Sequence, residues 1–85
     1  MRIISQNGLH NLPYDLITIH RNRDNEIWAY TWQGKGYILG EYSTEEKAKY
    51  AFEQILIQTR NRNIYGDSHR LPKDECLNTK IKEIK

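Results

Sequence analysis

With 85 residues, the chain holds one small domain, because so few apolar side chains cannot be divided between two independent cores. At 38% hydrophobic and 11% aromatic it is too apolar for a wholly disordered chain, and a net charge of +2, from 13 basic and 11 acidic residues, does not announce a binder of long nucleic acid. No run approaches the roughly 18 to 20 apolar residues of a membrane span, Met1 to Ser5 lacks the long apolar stretch of a secretory signal, and the lone Cys76 allows no internal disulfide, so a reduced, cytoplasmic protein is expected.

Residues 1 to 5 form a short apolar strand ending at Gln6-Asn7-Gly8, where the Asn-Gly pair offers the positive φ angles of a tight hairpin turn. The return segment, Leu9 to Leu12, stops at Pro13, which cannot donate to a ladder. Leu16 to Arg21 is a β-branched run of strand length, broken by the turn formers Asn22-Arg23-Asp24-Asn25. Ile27 to Trp32 resumes as a strand, and Gln33-Gly34-Lys35-Gly36 separates it from another, Tyr37 to Tyr42. Strands joined by short polar turns predict an antiparallel meander.

Ser43-Thr44-Glu45-Glu46 has the pattern of a capping box, with Ser43 as N-cap, and its two glutamates complement the positive end of a helix. Ala48, Ala51, Phe52, Ile55, Leu56 and Thr59 then recur at three- and four-residue intervals, which lays an apolar stripe along one helix. Asn61, Asn63 and Gly66 are candidate terminators. Ile64-Tyr65 reads as either a last short strand or the helix end, and His69 to Pro72 as a loop. From Lys73 onward charge dominates, with Ile81 and Ile84 isolated in the final residues. The expected fold class is therefore α+β: a small antiparallel β-meander with one amphipathic helix packed on one face. Residues 1–72 form the domain, and 73–85 a charged, flexible C-terminal tail, frayed or borrowed by a partner.

Side chains alternate along a strand, so Ile27, Ala29 and Thr31 share one face while Trp28, Tyr30 and Trp32 share the other. One helix cannot cover both. Either it covers the aromatic side and leaves the small side to solvent, or the uncovered side meets another subunit or a ligand. Six tyrosines, which combine contact area with a polar tip, favour the second and with it a homo-oligomer.

A catalytic constellation is not legible: His10, His20 and His69 have no metal-ligand spacing, Gly34-Lys35-Gly36 lacks the context of a P-loop, and Asp15, Asp24 and Glu26 are scattered. Neither catalytic nor metal-ligating residues are expected. Basic groups near aromatics are the stronger signal. Arg21 and Arg23 flank the turn leading into Trp28, Tyr30 and Trp32, and guanidinium with aromatic surface is a means of holding phosphates and stacking bases. A second cluster, Arg60, Arg62 and Arg70 with Tyr65, surrounds the predicted helix end and could meet the first across a subunit boundary.

Ile4-Ser5-Gln6-Asn7-Gly8, Pro13-Tyr14, Tyr42-Ser43-Thr44-Glu45-Glu46-Lys47-Ala48 and Leu71-Pro72-Lys73-Asp74-Glu75 resemble, in order and spacing, a pattern in short proteins encoded by phages and prophages of Gram-positive bacteria. That pattern is similar to anti-Thoeris sponge proteins, which sequester cyclic ADP-ribose signals. The resemblance implies an oligomeric, non-enzymatic antagonist of bacterial immunity in the host cytoplasm that binds a nucleotide signal without cleaving it and needs no cofactor. The rival expectation is a protein-protein inhibitor of a host defence factor such as a CRISPR nuclease, docking through the aromatic strand or the Tyr50 and Ile57 side of the helix. The expected partner is thus a small nucleotide or a host defence protein, with no membrane and no long nucleic acid.

Overall fold

In the computed structural model, residues 1–61 and 67–77 are described. The first apolar run forms β1 (Arg2–Ile4) and returns antiparallel as β2 (Asn11–Pro13), with Ile3 opposite Leu12. Only one residue of the Asn-Gly pair carries the positive φ expected of both: Gly8 sits at +79°. Asn7 instead acts through its side chain, whose Oδ1 accepts from Ser5 Oγ at 2.7 Å and from the Leu9 amide at 3.0 Å. This local bonding builds an Asx-type turn in place of the mirror-image hairpin turn.

A single 3-10 turn, Tyr14–Leu16, leads into β3 (Ile17–Arg21), so Leu16 lies before the strand rather than within it. β4 (Glu26–Thr31) pairs antiparallel with β3, and β5 (Gly36–Glu41) pairs antiparallel with β4. The predicted meander is therefore present, in the order β3-β4-β5. Trp32 falls just outside β4, and Tyr42 just outside β5. A register shift at Ile27/Trp28 bulges β5 near Gly40, where a Cβ would stand 2.8 Å from the Tyr42 ring and 3.1 Å from Leu71.

Helix α1 (Glu45–Arg60) begins one residue later than the capping-box reading requires. Thr44 is the N-cap, its hydroxyl accepting from the Lys47 amide at 3.2 Å. Ser43 is committed elsewhere: its N–H donates to Asp74 Oδ1 at 2.8 Å, and its hydroxyl lies 3.0 Å from both Asp74 oxygens. Of the predicted terminators, Asn61 is the C-cap. Asn63, Gly66 and the Ile64-Tyr65 alternatives lie outside the described residues.

The stretch read as a loop and the described start of the tail, residues 73–77, are packed structure. Ser68–Arg70 form β6, parallel to β1, with His69 opposite Ile3 and buried. A polar triplet carries no local strand signal, and its pairing comes from a partner more than sixty residues away in the chain, so β1 completes a second sheet ordered β2-β1-β6. Lys73 is followed by a 3-10 turn, Asp74–Cys76, and by Leu77, which is 1% exposed. Packing thus extends past the expected boundary at residue 72, because Leu77 enters the core and Asp74 bonds the helix entrance. Ile81 and Ile84 lie outside the described residues.

Gln6 joins the two sheets. Its backbone N–H donates to the Leu39 carbonyl at 2.6 Å, and its side-chain amide accepts from the Glu41 N–H at 3.1 Å and donates to the Glu41 and Pro72 carbonyls. The core between sheet and helix contains Ile27 and Ala29 of β4, Leu39, Tyr42, and Ala48, Ala51 and Ile55 of α1, extended by Ile3, Leu71 and Leu77. Two alanines facing two residues of β4 let the helix approach closely, and each large aliphatic side chain buried there contributes roughly 1.5–3 kcal/mol. The choice left open by the sequence is thereby made: α1 covers the small face, and the aromatic face is left uncovered by it.

Candidate ligand-binding face

The uncovered face of β3-β4-β5 is built by strand alternation. Trp28 and Tyr30 project from it two residues apart, with centroids 6.0 Å apart and planes inclined by 15°. His20, opposite Trp28 in register, meets Tyr30 edge-on at 5.4 Å. Gly36 lies opposite Tyr30, and its lack of a side chain makes room for the rings: a Cβ there would stand 2.9 Å from Tyr30 Cε1 and 3.3 Å from Trp28 Cε3. The indole is oriented by Glu26, whose Oε1 accepts from Trp28 Nε1 at 3.2 Å and from Asn22 Nδ2 at 2.8 Å. Those two bonds, Asn22 first, hold the Glu26 carboxyl below its usual pKa and keep it a charged acceptor.

A groove of about 440 Å³ runs beside Trp28 along β5, lined by Gln6, Asn7, His10, Tyr37, Ile38 and Glu41. His10 and Tyr37 form a tilted pair at 4.9 Å, and Lys35 Nζ lies 5.4 Å from the Tyr37 ring centroid. Asn7 Oδ1 is engaged within its turn, whereas its Nδ2 has no hydrogen-bond partner among the described residues. On the other side of Tyr30, Leu16, Thr18 and Trp32 border a shallower depression of about 330 Å³. Trp32 is 83% exposed and Leu16 63%.

Arg21, Arg23, Arg60 and Arg70 are not part of this face. Arg21 is opposite Ile27, so alternation turns it to the helix side, where its guanidinium lies 3.8 Å from Glu45. Arg23 lines the same depression as Arg21, with Asn22, Asn25 and Glu45. The expected pairing of Arg21 and Arg23 with Trp28, Tyr30 and Trp32 is thus not assembled within one chain, because nearness in sequence across a turn does not place residues on one side of a sheet. Arg60 is exposed in the last turn of α1. Arg70 is committed to the β1-β2 loop, its Nη2 donating to the Gln6 carbonyl at 3.2 Å beside Gly8. Arg62 and Tyr65 lie outside the described residues.

His20 beside the aromatic pair, and Asn7, His10 and Tyr37 in the groove, were not among the residues expected from the sequence. His20 was accessible in principle, since two-residue periodicity links it to Thr18 and through register to Trp28. His10 and Tyr37 meet only because Gln6 docks the first hairpin on β5. Among the described residues no cluster of His, Cys, Asp and Glu could hold a metal ion, and no helix is long and apolar enough to cross a membrane. No protein family, curated protein or solved structure matches the chain.

Proposed function

We propose that this protein binds a nucleotide on its uncovered aromatic face and sequesters it without cleaving it. One observation carries the reading: α1 packs on Ile27 and Ala29, and the stacked Trp28-Tyr30 pair remains on the opposite side, beside a groove whose volume of about 440 Å³ falls within the range of roughly 300–1,000 Å³ usual for small-molecule sites. A base stacks on Trp28 or Tyr30, which is worth roughly 1–3 kcal/mol per base. Asn7 Nδ2 and the His10 ring, which line the groove beside Trp28, offer polar contacts to its edge. The resemblance to anti-Thoeris sponges supports a cyclic ADP-ribose type signal as the ligand, and with it a phage-encoded antagonist of bacterial immunity acting in the host cytoplasm. Calorimetry against cyclic ADP-ribose isomers and cyclic oligonucleotides tests it. Saturable heat with one class and unchanged ligand on chromatography is the expected result; heats of dilution across the whole panel reject it.

A second reading is favoured by the exposure of Trp32 and Leu16 on the same side of the sheet, which suits docking on a host defence protein such as a CRISPR nuclease. A stoichiometric protein partner in a pull-down, with no co-purified nucleotide, would favour this reading over the first.

A further inference from the structure

The strand order leaves β3 at one edge of its sheet, paired only with β4 among the described residues. Two backbone bonds fix which of its polar groups face outward. The Asn22 N–H donates to the Glu26 carbonyl at 3.0 Å, and the Thr31 N–H donates to the Lys35 carbonyl at 2.9 Å on the far side of β4. Because backbone groups alternate sides along a strand, Thr18 and His20 bond toward β4, while Ile17, Ile19 and Arg21 direct theirs away from the sheet. The Ile17 N–H is taken by the Tyr14 carbonyl. The Ile19 N–H and carbonyl, the Ile17 carbonyl and the Arg21 N–H have no partner among the described residues. No proline or bulge protects this edge, which is a template for another strand.

We infer that β3 pairs antiparallel with β3 of a second copy of this chain, about a two-fold axis at Ile19. In that register Ile19 exchanges both backbone bonds with Ile19 of the partner subunit, and each Arg21 N–H donates to the carbonyl of Ile17 in the partner subunit. The Ile17 N–H, already used, is not required. The free groups of β3 are thus self-complementary about Ile19, which selects a second copy of the same strand. On the helix side, a small apolar groove of about 190 Å³ lined by Ile17, Ile19, Phe52 and Leu56 runs along this edge, with Leu56 38% exposed, and the second copy closes it. The result is one continuous six-stranded sheet with both aromatic faces on the same side.

Sedimentation equilibrium of the full chain tests this. The expected mass is twice that of the chain. Ile19→Pro, which removes an N–H pointing away from β4, dissociates the dimer while far-UV circular dichroism remains unchanged. A monomer at hundreds of micromolar would overturn the inference. So would a dimer insensitive to Ile19→Pro.

Discussion

Replacing Asp74 by alanine tests whether the C-terminal turn is a structural clamp on the helix entrance. Its carboxylate accepts from the Ser43 N–H at 2.8 Å and from the Ser43 hydroxyl, and forms an ion pair with Lys47 Nζ at 3.1 Å. Hydrogen bonds to charged groups are worth about 1.5–3 kcal/mol each when buried, but Asp74 is 36% exposed, so screening reduces them. Lys47, whose side chain is 11% exposed, would be left without its counter-ion. The expected loss is about 2–3 kcal/mol, equivalent to a fall in Tm on the order of 10–20 °C for a domain of this size. Asp74→Asn retains an acceptor for Ser43 without the charge and should lose about half as much. Urea unfolding followed at 222 nm at pH 7 measures both. The Ser43 amide bond, then the bonds from Lys47 and the Ser43 hydroxyl, lower the Asp74 pKa against the opposing effect of burial. A lowered carboxylate pKa means that this stabilisation is present above the ordinary aspartate value of about 3.9 and is lost as pH falls through the folded value. A loss below about 0.5 kcal/mol for Asp74→Ala at pH 7 would refute the clamp.

Burial lowers the His69 pKa, and its Nε2 has no partner among the described residues, so the fold favours the neutral ring. Stability from that neutrality is full above about pH 6.5 and is lost as pH falls through the folded value; chemical unfolding at pH 7 and pH 5 should show the decline, and His69→Leu should flatten it. Leu77→Ala should cost about 2–5 kcal/mol in urea titration if Leu77 belongs to the core. Gly36→Ala places a methyl against Tyr30 and Trp28, so it should weaken nucleotide binding in calorimetry while leaving far-UV circular dichroism intact.

The meander and helix were legible because each announces itself within a few residues: β-branched runs between turn formers, and a stripe at helical spacing ending near Arg60. The open aromatic face was legible as one of two alternatives, and Ala48 and Ala51 decide between them, being small enough to let the helix lie close over Ile27 and Ala29. β6 was not legible, because Ser68–Arg70 form a strand only through β1. Nor was the docking of Asp74 and Leu77, whose partners lie about thirty residues upstream or in the assembled core. The arginine cluster misled for a specific reason. Arg21 and Trp28 are close along the chain, but register puts Arg21 opposite Ile27 and so on the helix side.

The most direct test of the account is the two-dimensional NMR spectrum of the labelled protein titrated with cyclic ADP-ribose. Saturable shifts of the Trp28 indole N–H and of the Tyr30 and His20 amides are expected, with Ala51 and Arg21 on the helix side unmoved. A spectrum unchanged at Trp28, or shifts centred on Arg21, Arg23 and Glu45, would contradict it.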